Sequence, residues 1–223
     1  MKSLETKETI ARAFLKLAET ETLEKVSVFD VAQACGKNRK TFYYHFADKA
    51  ALIHWIFRYD IANQLESAVN EENLVYQNEI DSSDDFARAT ASLPYYTFIK
   101  DGVRSIDGKP FLQILARCLE SRRAFYAQAL EDDSPVGLSN YLFELYVPAL
   151  ERDIDFILSN RYLQDNSIRF LAEFHVGAVI DYFKRRCSMK SQQKLLCDVG
   201  PFGNIIHTSI AYQINQQQER RTL

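Results

Sequence analysis

Apolar positions along this chain recur every three or four residues and nowhere alternate over a useful length. That period is helical, because side chains three and four apart share one face of an α-helix. Ile10, Phe14, Leu17 and Ala18 make one such stripe and predict a helix over 6–21, with Thr6 as its cap. Val28, Val31, Ala32 and Cys35 make a second, and Ser27 with Asp30 has the spacing of a capping box. Gly36 then ends that helix, since glycine takes the left-handed conformation that turns the chain. Asn38 caps a third, short helix whose only apolar face is Phe42 with Phe46. Asp48 caps a fourth, expected over 48–78 and at least to Ser67, with Leu52, Ile53, Ile56, Phe57 and Ile61 in a stripe.

Helices continue beyond residue 80. The polar run 81–85 predicts a cap for a segment over 86–100, kinked by Pro94. A loop bracketed by Asp101-Gly102 and Asp107-Gly108-Lys109-Pro110 follows. Further helices are predicted over 111–131, over 138–159 with Pro148 disturbing the middle, over 166–186 and over about 199–217. The segment 166–186 is apolar on most sides, and such a helix is buried or pairs with another subunit. The last two helices therefore predict a homodimer through an intermolecular four-helix bundle. The expected fold is all-α with about nine helices. A three-helix helix-turn-helix domain over 1–50 precedes a larger helical ligand-binding and dimerisation domain over 51–223.

The composition is ordinary for a globular chain: 47% hydrophobic, 26% charged, with 7 Gly and 5 Pro in 223 residues. No apolar run reaches membrane-spanning length, and the charged start Met1–Glu8 has no secretory core, so a cytoplasmic location is expected. Cys35, Cys118, Cys187 and Cys197 form no Cys-x-x-Cys pair and read as buried or incidental thiols in a reducing compartment. His45, His54, His175 and His207 lack metal-ligand spacing, and no phosphate-binding or nucleophile motif is present, so no metal, cofactor or enzymatic activity is expected. The net charge of −3 is unevenly spread: residues 1–60 carry +2 and residues 61–223 carry −5.

The short third helix changes the picture. Lys37, Arg39 and Lys40 sit at its start and Lys49 at the start of the next. Cations there oppose the helix macrodipole at roughly 0.3–1 kcal/mol each. An external polyanion removes the conflict, because helix N-termini and cations then attract the same phosphates. Residues 27–46 read as helix, glycine turn, helix, the arrangement whose second helix enters the DNA major groove. The alternative is a solvated polar helix.

Val28-Phe29-Asp30-Val31-Ala32, Cys35-Gly36, Arg39 and Thr41-Phe42-Tyr43-Tyr44-His45-Phe46-Ala47-Asp48-Lys49 resemble the N-terminal domain of TetR-family transcriptional regulators over about residues 6–60. Lys37-Asn38 and Lys40 depart from the family's usual residues. The run 38–41 together with 52–57 is similar to a branch that includes regulators of dihydroxyacetone kinase operons. The resemblance implies phosphate contacts by Tyr43, His45 and Lys49. It implies exposure of Arg39, Lys40, Thr41 and Tyr44 to base edges or the neighbouring backbone. Lys37 adds phosphate-binding capacity, Asn38 opens the reading helix, and Ser27 donates to a phosphate besides capping. The resemblance also implies a dimer on a palindromic double-stranded operator, and an effector pocket in the C-terminal domain. The middle of the chain is dense in aromatics, which serve either as plain core or as that pocket; Tyr96, Phe125, Tyr141 and His175 are the candidate lining residues. The leading reading is a dimeric repressor released by a small effector. The alternatives are an activator, a regulator controlled by a protein effector, and a helical interaction protein that has lost DNA binding.

Overall fold

The helical stripes fold where their spacing places them, and the caps show what starts each helix. The computed structural model describes residues 2–77, 90–159, 161–189, 194, 195 and 199–222. Among these residues lie nine α-helices, one short 3-10 turn and one two-stranded ribbon. α1 (Lys2–Ala18) begins earlier than predicted, so Thr6 lies inside it and is not its cap. α2 (Val28–Ala34) starts on a complete Ser27–Asp30 capping box. Gly36, at φ +64°, makes the turn to α3 (Arg39–His45), which Asn38 caps. α4 (Lys49–Ala68) starts on Asp48 and stops at Val69, short of residue 78.

The middle differs most from expectation. Instead of a helix reaching 100, β2 (Tyr96–Thr97) pairs antiparallel with β1 (Leu74–Val75). Pro94 denies a helix its backbone donor there, and the chain folds back onto the 3-10 turn Glu71–Asn73. The predicted cap 81–85 and residues 86–89 lie outside the described residues, as does Cys197. The predicted helix 111–131 is two, α5 (Lys109–Ser121) and α6 (Arg123–Leu130), broken at Arg122 with φ −137° and ψ 47°. α7 (Leu138–Leu158) runs through Pro148. α8 (Asp165–Ser188) and α9 (Gly200–Thr222) complete the chain.

One core joins both ends of the molecule. α1, α2 and α3 pack on one another, α4 packs on α5 and α7, and α8 lies against α5, α6 and α7. α8 is not buried all round: Leu171, Ala172, His175, Val176, Val179 and Phe183 face inward, while Phe170 and Phe174 are exposed. α9 likewise leaves Ile205 and Tyr212 outside. Cys118 and Cys187 are buried free thiols, and burial pushes the Cys187 thiol up to about 11. Among the described residues no helix is long and apolar enough to cross a membrane.

Candidate nucleic-acid interface and interior chamber

α3 is held by one face. Phe42 and Phe46 are buried with ring centroids 5.8 Å apart, and Phe46 meets Trp55 of α4 at 5.9 Å. The other faces are polar and outward. Lys37, Asn38, Arg39, Lys40, Tyr43 and Tyr44 are exposed, Tyr44 to 82%. Thr41 and His45 are half-buried. The Asn38 side chain accepts from the Thr41 amide at 2.8 Å and from the Thr41 hydroxyl at 3.1 Å, so these two residues build the cap. His45 meets Tyr44 edge-on at 5.0 Å, and burial, then the charge of Lys7, lower its pKa. Among the described residues Lys37, Arg39 and Lys40 form no ion pair. Arg122, Lys184, Arg169 and Arg185, in the larger part of the chain, each have a carboxylate partner.

Ser27 and Lys49 sit differently from the α3 side chains. Ser27 accepts from the Asp30 amide at 3.2 Å while its own amide donates to the Asp30 carboxylate at 2.9 Å. The Ser27 hydroxyl also donates to the Asp30 carboxylate at 2.5 Å, and that bond, with the one from the Ser27 amide, holds the Asp30 carboxyl below its ordinary pKa. The Lys49 ammonium donates to the carbonyls of Leu23 at 2.6 Å, Glu24 at 3.3 Å and Val26 at 3.2 Å. An ammonium has three donors, and all three are directed at the turn between α1 and α2. Lys49 therefore does not present its charge outward like Lys37 and Lys40. It fastens a turn whose carbonyls at 23, 24 and 26 accept no other bond among the described residues.

α4 is tied to both halves of the molecule. Trp55 stacks on Tyr59 at 5.0 Å, and the Tyr59 hydroxyl donates to Glu8 of α1 at 2.6 Å. On the opposite side, His54 Nε2 lies 3.0 Å from the Val136 carbonyl, and its ring stacks on Tyr141 at 4.2 Å. Asp60 accepts from Arg122 and from the Tyr126 hydroxyl, each at 2.8 Å, at the break between α5 and α6. Arg58 is fully buried. It donates to the carbonyls of Thr90 at 3.1 Å and Leu93 at 2.8 Å, to Gln77 at 2.5 Å and to the Tyr141 hydroxyl at 3.5 Å, and it lies over the Tyr95 ring. All these acceptors are neutral, and its Nε has no partner among the described residues. A second link bypasses α4: Gln128 of α6 accepts from the Leu23 amide at 3.0 Å, in the same turn that Lys49 fastens.

Beyond α4 lies a chamber of about 100 Å³ between α5, α7, α8 and α9. Of the four candidate residues, Tyr96 and His175 line it. Phe125 instead meets Phe14 of α1 edge-on at 6.1 Å, and Tyr141 is taken by His54 and Arg58. His175 Nε2 is 2.6 Å from Ser209 of α9, and burial lowers its pKa. Tyr146 and Asp153 also line the chamber and were not anticipated. The Tyr96 hydroxyl donates to Asp153 Oδ2 at 2.7 Å, and burial raises both pKa values, that of Asp153 to about 7. The sequence did hold a signal: Leu142, Tyr146, Leu150, Asp153 and Ile157 lie on one helical face, so an Asp interrupts an apolar stripe.

Comparison with known proteins places these features. The family described as bacterial regulatory proteins, tetR family, matches residues 10–56. A curated relative, the HTH-type dhaKLM operon transcriptional activator DhaS of Lactococcus lactis subsp. lactis, is 34% identical over 79 residues. The match spans 35% of this chain and 41% of that protein, less than half its length. The solved structure of a dihydroxyacetone kinase operon activator DhaS superposes with a TM-score of 0.53 at 19% identity, covering 94% of this chain and 98% of that one. The fatty acid degradation regulator FadR from Bacillus halodurans gives 0.56 at 12% identity, over 90% of this chain and 94% of that one. Salmonella enterica GusR gives 0.56 at 15% identity, over 96% and 98%. At these identities the structural likenesses establish a shared fold.

Proposed function

We propose that this chain, whose residues 10–56 match the tetR family of bacterial regulatory proteins, is a dimeric, operator-binding repressor released by a small effector. The observation that carries the reading is the exposed, acid-free run Lys37, Arg39 and Lys40 beside Tyr44 on a helix anchored by Phe42 and Phe46. Arg39, Lys40 and Tyr44 reach base edges and the flanking backbone, where Arg and Lys pair with guanine O6 and N7. Lys37, Tyr43 and the neutral His45 face phosphates. Two copies joined through α8 and α9 set two α3 helices in successive major grooves of a palindrome. The exposed Phe170, Phe174, Ile205 and Tyr212 support that pairing.

The effector acts by population shift: it favours a chamber shape whose α4 position misspaces the two reading helices. The ties from His54, Arg58 and Asp60 to the chamber body, and from Tyr59 to α1, support α4 as the moving part. A second reading, activation in place of repression, is favoured by one observation: the curated relative is named an activator.

Selection of fragmented genomic DNA tests the proposal, with wild type set beside a Lys40→Ala, Tyr44→Ala double variant. A short palindrome enriched by wild type and lost by the variant is expected. Equal enrichment by both proteins would remove α3 as the reading element. A reporter placed behind the recovered operator separates repression from activation by its sign.

A further inference from the structure

The chamber between α5, α7, α8 and α9 is walled mostly by Leu, Ile, Val and Phe, with His175 and His207 also in its lining, and two lining residues of α7 each carry a buried polar atom without a partner among the described residues. One is Asp153 Oδ1, on a side chain 4% exposed whose Oδ2 already accepts from Tyr96. The other is the Tyr146 hydroxyl, 5% exposed. Buried polar atoms without partners are costly and scarce in native proteins, and the one on Asp153, beside the cavity, marks where a ligand's polar group belongs.

Three features narrow the occupant. Size comes first: a chamber of about 100 Å³ takes a molecule no larger than a single six-membered ring, since a cavity of about 150 Å³ holds benzene. The walls require that most of the molecule be apolar. Charge balance is the third. Asp153 stands at one side, and Arg58, buried without a carboxylate partner among the described residues, stands behind Tyr146 and acts on its hydroxyl. The carboxyl opposes an anion and the guanidinium opposes a cation, so a neutral molecule meets least resistance. We propose that the chamber binds a small neutral hydroxylated ring compound, a phenol or ring alcohol, whose hydroxyl hydrogen-bonds the Asp153 carboxyl at Oδ1 while its apolar body lies among Phe111, Leu115, Val179 and Phe183.

The proposal rests on the chamber being the effector site, but its test contains no DNA. Phenol, toluene, benzylamine and benzoate are titrated against the full-length protein by ligand-observed nuclear magnetic resonance. These probes share one ring and differ in polar group. Phenol is expected to bind at least about tenfold more tightly than toluene, the worth of one hydrogen bond to a carboxyl, and more tightly than either charged probe. Asp153→Ala should bring phenol to within about twofold of toluene while toluene binding persists, which also reports that the chamber is intact. If toluene binding is lost with it, Asp153→Leu decides. That variant removes the carboxyl and keeps an apolar side chain of similar size, and phenol affinity alone should fall severalfold.

Equal affinity for phenol and toluene, as when water already satisfies Oδ1, overturns the proposal. So does preference for benzylamine or benzoate, failure of every probe to bind folded wild type at millimolar concentration, or full phenol selectivity in Asp153→Leu. Selective phenol binding that leaves operator occupancy unchanged upholds the ligand chemistry and removes the effector role. Absence of an operator leaves the ligand chemistry standing.

Discussion

Two sets of ionisable groups in this protein lack an opposite charge among the described residues, one outside and one inside. Lys37, Arg39 and Lys40 stand in solvent around the start of α3 with no described carboxylate paired to them. Arg58 and Asp153 are buried in the larger domain, the first among neutral acceptors and the second against a tyrosine hydroxyl. The outer set costs little, because water solvates it, and it remains free to meet an anion. The inner set is expensive and persists only because surrounding groups compensate it. The difference teaches where each region is tunable. Changing the outer charges should alter binding and leave the fold alone, whereas changing the inner ones should alter the fold, its pH dependence and whatever the chamber holds.

The largest effect is expected at Arg58. Arg58→Ala removes a donor from the Leu93 carbonyl and one of the donors to the Thr90 carbonyl, which keeps the Leu93 amide, and opens a void, at about 3–5 kcal/mol. Urea unfolding measures it, and a loss below about 1 kcal/mol would show that the guanidinium is not holding the 90–97 segment on α4. Asp153→Asn comes next, and its effect has a sign in pH. The Asp153 pKa is raised by burial to about 7, so its protonated form fits the fold. The stability it contributes is complete below the unfolded value near 4 and is lost as pH rises through about 7. The Asn variant, which cannot ionise, should match wild type near pH 4 and exceed it above pH 7, by at most about 4 kcal/mol. Thermal melts across that range test it; a constant difference between the two proteins would refute the linkage.

Smaller effects distinguish Lys49 from its outward neighbours. Lys49→Met removes three donors from the turn at 23–26 and should cost about 1–2 kcal/mol of stability. It should weaken DNA binding with little change in salt dependence. Lys40→Ala should do the opposite: stability within about 0.5 kcal/mol of wild type, and a salt slope smaller by about one. Fluorescence anisotropy on one operator at several salt concentrations compares the two. Interchanged results would mean that Lys49 is the phosphate contact and Lys40 a structural residue.

Much of the reading domain was legible because its signals are local. A capping box, a glycine turn and an Asn cap each depend on residues within four positions, and Ser27–Asp30, Gly36 and Asn38–Thr41 form as their spacing implies. The chamber was less legible. Tyr96 and His175 line it, but Phe125 and Tyr141 point elsewhere, and nothing in a run of aromatics says which face another helix will cover. The break at Arg122 was missed because Asp60, sixty-two residues away, takes the guanidinium that follows the last turn of α5.

The sequence by itself therefore determined the helical period, the caps and the cationic start of α3, since each is set by bonds between near neighbours. It also held the TFYYHF run, which lies within the residues 10–56 that match the tetR family of bacterial regulatory proteins. Only the tertiary structure decided that Lys49 turns inward to three carbonyls, that Arg58 joins α4 to the ribbon segment, and that Asp153 and Tyr146 meet one chamber. Those outcomes depend on which donors and acceptors folding leaves unsatisfied at long separation, and a one-dimensional pattern does not carry that information.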